Sequence, residues 1–167
     1  WISSGGREGE RADLSGLDLS NLDFSGVDLS AAKLVGCSLK NSSLKGALLA
    51  HANLGYADCR QANLEDSDLR GADLCFVNLS AADLRNANIT PLKIDSVSVR
   101  NWPADLTRVR AVGANFSFAR LTDAKLDGAN LTNADFDGAV LDGCSVVGAI
   151  FTGVDLETTS TGGLINP

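Results

Sequence analysis

The stretch "ANLEDSDLRGADL" at residues 62–74 places a leucine at every fifth position, with a small residue two positions before each leucine. The leucines are Leu64, Leu69 and Leu74, and the small residues are Ala62, Ser67 and Ala72. An α-helix repeats every 3.6 residues and a β-strand every two, so neither element explains this period. Three residues of strand-like alternation followed by a two-residue turn do explain it, and such units stack into a solenoid.

The period of five extends through almost the whole chain. We call the central apolar residue of each unit position i. Eighteen consecutive units run in one phase from Leu14 to Val99, and eleven more run from Leu106 to Leu156. Glycine is frequent at position i+2, where it supplies the backbone freedom that a turn needs. The two phases are seven residues apart, so we expect a two-residue insertion near residues 100–103.

The units "ANLED", "ADLRG", "ANLTN" and "ADFDG" resemble the A-(D/N)-L-x-x unit of the pentapeptide repeat proteins. The resemblance covers residues 12–158 and implies an all-β fold, a right-handed quadrilateral parallel β-helix of about seven coils. In that fold, positions i and i−2 point inward. We expect residues 1–11 to cap the first coil, residues 12–101 and 104–158 to form the helix in two phases, and residues 159–167 to be a tail.

Composition narrows the classes of function. The chain has a net charge of −7, with 14 Lys and Arg against 21 Asp and Glu, which argues against direct nucleic-acid binding. No apolar run reaches the roughly 18 residues of a membrane-spanning helix. There is one histidine and no C-x-x-C pair, so we expect no catalytic, metal or cofactor site and no enzyme. We interpret His51 as a plain surface residue.

A candidate contact surface follows if every fourth unit shares a face and the insertion has two residues. One face then holds the outward aromatics Tyr56, Phe76 and Phe118 and most of the negative charge. Four acidic residues would cluster at its C-terminal end: Asp135, Asp137, Asp155 and Glu157. This face is interpreted either as a contact for an unknown protein partner or as a corner stack that covers neighbouring turns.

Two smaller features leave alternatives open. Trp102 lies beside the insertion, which is either a corner bulge or a small protruding recognition loop. Val140, Val147 and Ile150 fall at outward positions, where they either form an end-to-end homodimer contact or are covered by the tail.

The cysteines and the first residue bear on the compartment. Cys75 is expected at the surface, and the other three cysteines are expected inside. Free thiols favour a reducing compartment, so we expect a cytoplasmic protein. Because the chain begins with Trp1 rather than Met, we interpret it as a processed or partial product.

Three functions compete at this point. A rigid rod without a cleft favours a non-enzymatic scaffold or protein–protein interaction module. The family resemblance also implies a DNA mimic that binds DNA gyrase or another topoisomerase, of the kind that protects against fluoroquinolones, and the acidic face fits it. Against it stand a tail without a helical dimerisation segment and an insertion of only two residues. The third alternative is a repeat domain of a larger effector or adaptor protein.

Overall fold

The computed structural model describes residues 11–93 and 101–165, and over these residues the chain winds as a parallel four-sided β-helix. Each coil takes 20 residues, since Asp13 pairs with Lys33 and Lys33 pairs with Asn53. Each side of a coil is so short that it forms a single β-bridge to the same side of the next coil, through the residue at position i−1. The only strands of two or more residues in the described ranges are β1 (Leu92–Lys93) and β2 (Asn101–Trp102), which pair antiparallel. The all-β prediction is confirmed.

The core is a central column formed by positions i and i−2 of successive coils. Leu34, Leu54 and Leu74 are fully buried at position i, and Ala52 and Ala72 are buried at i−2. Burial of each leucine contributes about 1.5–3 kcal/mol of hydrophobic stabilisation. The column of buried side chains therefore replaces the single globular core of an ordinary domain.

Aspartate and asparagine recur at position i−1 for a local reason. Their side-chain oxygen accepts a hydrogen bond from the amide of residue i+1, as in Asn53 with Gly55 (2.9 Å) and Asp73 with Cys75 (3.0 Å). This Asx turn fixes the start of the corner wherever Asp or Asn occupies position i−1. Most acidic residues of the repeat are thus explained by turn geometry.

Nearly every corner passes through the left-handed region at position i+2, with Pro91 and Thr158 as exceptions. Gly36 has a φ of +63° there, but so do bulky residues such as Tyr56 (+61°), Phe76 (+60°) and Phe118 (+60°). A non-glycine residue pays a steric cost in this conformation, of order 1 kcal/mol or more. Fourteen of the positive-φ corner residues are nevertheless not glycine, so the fold accepts this cost at many corners.

The predicted two-residue insertion is wrong. Asp73 pairs with Asp105 and Asn88 pairs with Arg120, a separation of 32 residues where the other coils have 20. The insertion therefore has twelve residues, and its stem is the β1–β2 hairpin. The apolar residues Ile94 and Val99 keep the period of five by their spacing alone, and they lie outside the described residues.

The ends also differ from the predicted boundaries. Ser160 pairs with Val140 and Ile165 pairs with Ser145, so the predicted tail continues the β-helix as far as Ile165. The predicted N-terminal cap falls, apart from Arg11, outside the described residues. No helix in the described part of the chain has the length and apolar character needed to cross a membrane.

Candidate interaction surface

The twelve-residue insertion changes which units share a side of the rod. One side, which we call the groove face, contains the units centred on Leu54, Leu74, Leu106 and Leu126. The opposite side, which we call the acidic face, contains the units centred on Leu64, Leu84, Phe116 and Phe136. The predicted single face of aromatics and acids is therefore wrong, because its residues are divided between opposite sides.

One edge of the groove face is an aromatic corner made by Tyr56 and Phe76. Their rings stack with centroids 4.9 Å apart and an interplanar angle of 4°. On the next coil, the guanidinium of Arg108 lies 5.5 Å from the centre of the Phe76 ring. Tyr56 is 66% exposed and Phe76 is 42% exposed. The predicted corner stack is confirmed for these two rings. Tyr56, the more exposed of the two, is accessible to a partner.

The other edge is formed by the inserted hairpin, which docks on the corner above His51. The Trp102 ring meets the His51 ring edge-on, with centroids 5.2 Å apart. A Cβ atom added at Gly71 would lie 2.8 Å from the Cβ of Leu92 and 3.0 Å from the Trp102 carbonyl oxygen. Glycine is thus required at residue 71 by close approach as well as by its φ of +61°. His51 is not a plain surface residue, because it supports the hairpin.

A groove of about 360 Å³ lies at the foot of this hairpin on the groove face. Trp102 and Pro103 line it together with Asp73, Asp105 and Cys75. Lys125 also lines the groove, and its Nζ lies 3.4 Å from Asp105 Oδ2. Cys75 immediately precedes Phe76 in the chain, so the groove adjoins the aromatic corner. The insertion has a two-stranded stem and is therefore larger than a corner bulge, while a recognition role for Trp102 stays a prediction.

The pKa shifts in the groove keep the Cys75 thiol protonated and the neighbouring Asp105 carboxylate charged. Burial, together with the neighbouring carboxylates of Asp105 and Asp73, raises the pKa of Cys75 to about 12. Burial also raises the pKa of Asp105, but hydrogen bonds from Thr107 and Cys75 and the charge of Lys125 outweigh it, so the net pKa is lowered. At neutral pH the groove therefore holds the ionised Asp105 and the protonated Cys75 thiol, which suits binding rather than nucleophilic chemistry.

Phe118 and the four predicted acidic residues lie on the acidic face. Phe118 is 59% exposed and leans over Gly138, whose added Cβ would fall 2.5 Å from its ring. Asp135 accepts a hydrogen bond from the Asp137 amide, and Asp155 accepts one from the Glu157 amide, both at 2.9 Å. Asp135, Asp137, Asp155 and Glu157 are all exposed, and none forms an ion pair within the described residues. They lie on the side of the rod opposite Tyr56 and Phe76, and a contact made by these four residues stays a prediction.

The three predicted dimer residues do not form one patch. Val147 and Ile150 are exposed, whereas Val140 is half-buried where the chain at Ser160 pairs with it. The three residues belong to three different sides of the rod. The last coil therefore covers Val140 and leaves the other two open, and a dimer contact stays a prediction.

Sequence reasoning missed the groove because its lining comes from units separated by the insertion. Trp102 next to Pro103 within a break of the repeat was the one available signal. Over residues 11–93 and 101–165, no group of three or more His, Cys, Asp or Glu side chains is placed to hold a metal ion.

The chain resembles known proteins along most of its length. The family model described as "Pentapeptide repeats" matches eight copies within residues 10–90 and 104–157, and the gap coincides with the insertion. No curated protein matched the chain. Three solved structures are similar to the chain.

The first is HetL, a pentapeptide repeat protein involved in heterocyst differentiation regulation from Nostoc sp. strain PCC 7120. It is 25% identical, the match covers 95% of this chain and 91% of HetL, and the TM-score is 0.44. The second is QnrB1, a plasmid-mediated fluoroquinolone resistance protein, with 22% identity, coverage of 88% and 80%, and a TM-score of 0.53. The third is a thylakoid lumen protein of Arabidopsis thaliana, with 29% identity, coverage of 80% and 77%, and a TM-score of 0.40. The protein therefore belongs to the pentapeptide repeat family and has its right-handed quadrilateral β-helix fold.

Proposed function

We propose that the protein is a non-enzymatic protein–protein interaction module whose contact surface is the groove face. The observation that supports this most directly is the arrangement of two exposed aromatic edges around one concave side. Trp102 stands at one edge and the Tyr56–Phe76 stack stands at the other, with the groove between the hairpin and the corner. Aromatic side chains around a pocket are the usual anchors of protein interfaces.

Backbone strain at the aromatic corner supports the same proposal. Tyr56 and Phe76 occupy left-handed corner positions that glycine fills at Gly36 and Gly128 in the same column. The aromatic residues are therefore more costly than glycine in backbone terms, while much of their surface stays in water. Mutual stacking offsets part of this cost, and contact with a partner would offset more of it.

Site-specific photo-crosslinking in cells of the source organism tests the proposal. Benzoylphenylalanine would replace Phe76 or Trp102 in one set of variants and Phe118 in the matched control, which is an equally exposed corner aromatic on the opposite side. We expect Phe76 and Trp102 variants to cross-link to the same protein and the Phe118 variant to give no such product. Cross-links from Phe118 alone would contradict the proposal and direct attention to the acidic face.

A second candidate function, a DNA mimic that binds DNA gyrase or another topoisomerase, is favoured by the charge of the acidic face. Eight carboxylates and two cations lie in its units, a net charge of −6 in a chain whose total is −7. The charges are largest at the C-terminal end, where Asp135, Asp137, Asp155 and Glu157 lie. The twelve-residue insertion also removes the objection that the chain lacks a larger loop.

A gyrase supercoiling assay, with and without a fluoroquinolone, tests this candidate. The matched variant is Asp135→Asn, Asp137→Asn, Asp155→Asn and Glu157→Gln, which removes four charges and keeps the hydrogen-bond acceptors of the turns. Inhibition or drug protection at low micromolar protein, weakened in the variant, is the result expected of a mimic. No effect at tens of micromolar would exclude it.

A further inference from the structure

We propose that the groove binds an arginine or lysine side chain presented by the partner protein. This inference rests on the proposed function, because it names the chemical group that the groove face recognises. It concerns Trp102 of the inserted hairpin and the carboxylates of Asp73 and Asp105, which line the groove together.

The groove combines an aromatic wall with carboxylates on its other side. Trp102 is 52% exposed, and the adjoining Pro103 extends the apolar wall. The carboxylates of Asp73 and Asp105 come from adjacent coils, since these residues pair directly in the ladder. A cationic side chain in this groove would place its methylene stem against the wall and its head near the carboxylates.

Asp73 and Asp105 differ in the ion pairs and hydrogen bonds that they already form within the protein. Asp105 lies 3.4 Å from the ammonium of Lys125, which compensates its charge. Asp73 accepts a hydrogen bond from the Cys75 amide through Oδ1 at 3.0 Å, and it has no ion pair within the described ranges. The Cys75 thiol also contacts the Asp73 carboxylate, but no cation of the described residues compensates its charge, so Asp73 offers a charged acceptor to an incoming cation.

A cation fits this environment better than the other classes of side chain. An anionic group would meet two carboxylates, and an apolar group would desolvate Asp73 without replacing its hydrogen bonds to water. The neighbouring corner already holds one cation against an aromatic ring, Arg108 over Phe76. Charge complementarity thus selects a guanidinium or ammonium group.

The test is a display selection of random peptides against the purified protein, followed by affinity measurements on the enriched peptides. We expect enriched peptides to share an arginine or lysine. Replacing that arginine by citrulline, a neutral analogue of the same shape, or that lysine by norleucine should weaken binding about tenfold or more. Trp102→Ala and Asp73→Asn should each weaken binding by a similar factor.

Asp23→Asn is the matched control for Asp73→Asn. Asp23 holds the same position of the repeat and accepts the Ser25 amide in the same way, at 2.9 Å, but it lies on the acidic face. This control should leave peptide binding unchanged. Because asparagine keeps the turn acceptor in both variants, a difference between them reports the charge in the groove.

The outcomes separate the inference from the proposed function. Enriched peptides that lose binding in Trp102→Ala but contain no shared basic residue would overturn the cation inference and leave the groove face as an interaction surface. The same conclusion follows if the neutral peptides bind as well as the basic ones. Peptides that bind equally to wild type and Trp102→Ala would overturn both proposals.

Discussion

The ring of Tyr56 lies parallel to that of Phe76 on the next coil, with centroids 4.9 Å apart and planes 4° from parallel. Both residues have a positive φ, so the stack is built at two positions where the repeat is otherwise most often glycine. The spacing of the rings equals the spacing of the coils, which is about 4.8 Å for adjacent strands. Stacking at corners is therefore available wherever two consecutive coils present flat side chains.

A double-mutant cycle on Tyr56→Ala and Phe76→Ala should show a favourable coupling of about 1 kcal/mol in the free energy of unfolding, because stacked aromatic pairs are stabilised beyond their buried area. Chemical denaturation of the wild type, both single variants and the double variant measures it. Tyr56→Ala combined with Phe118→Ala is the control, since Phe118 lies on the opposite side, and it should show additive effects. Additivity in the Tyr56–Phe76 pair would contradict the stack.

Gly71→Ala should destabilise the protein and displace the inserted hairpin. The new methyl group would meet Leu92 Cβ at 2.8 Å and the Trp102 carbonyl at 3.0 Å, in addition to the cost of a left-handed alanine. Gly36→Ala is the control, because residue 36 has a φ of +63° and nothing lies within 4 Å of an added Cβ. Both variants should lose about 1 kcal/mol of unfolding free energy, because alanine is strained at a positive φ.

The hairpin displacement is read from the fluorescence of Trp102 in a Trp1→Phe background, since the chain has two tryptophans. A changed emission in Gly71→Ala and an unchanged emission in Gly36→Ala is the expected pair of results. Equal emission and equal stability in the two variants would show that the hairpin does not dock at this corner.

Ser67→Ala should stabilise the protein. The Ser67 hydroxyl is buried at position i−2 without a hydrogen-bond partner, and alanine is the commonest residue at that position. Removing an unsatisfied buried polar group recovers about 1 kcal/mol or more. Ser42→Ala is the matched control and should destabilise slightly, because the Ser42 hydroxyl donates to the Leu39 carbonyl at 2.6 Å. Thermal and denaturant unfolding of both variants should show stability changes of opposite sign. A loss of stability in Ser67→Ala would contradict the unsatisfied hydroxyl.

Cys75 should react slowly with iodoacetamide in the native protein. Its pKa is raised from 9.0 to about 12, so its thiolate fraction at pH 8 is about a thousandfold smaller than that of an ordinary cysteine. Below that pKa the rate should rise about tenfold per pH unit, because only the thiolate reacts. Asp105→Asn should accelerate labelling by removing a neighbouring negative charge, and Asp23→Asn should not.

Mass spectrometry of the labelled protein follows this reaction at Cys75 directly, since Cys37, Cys59 and Cys144 are buried. Alkylation of native Cys75 as fast as in the unfolded chain would contradict the description of the groove.

The repeat predicted the fold because each coil is formed by interactions within single five-residue units. Leu64 is buried for the same reason as Leu69 and Leu74, and the Asx turn at each i−1 residue repeats with them. The surface could not be predicted in the same way, because it depends on the register between coils. Ile94 and Val99 keep the spacing of the repeat in the sequence, although the ladder passes directly from Asp73 to Asp105. Their spacing hid ten residues of the insertion and placed Phe118 on the wrong side.

The assignment of every surface depends on that register, and engineered disulfides test it most directly. In a Cys75→Ser background, Asn78→Cys with Arg110→Cys joins two residues that pair across adjacent coils, at a strand spacing compatible with a disulfide. Asn78→Cys with Ser98→Cys joins the residues that a two-residue insertion would pair. We predict an intramolecular disulfide, detected by mass spectrometry under mild oxidation, in the first variant and free thiols in the second. A disulfide in the second variant and none in the first would contradict the twelve-residue insertion and the groove face with it.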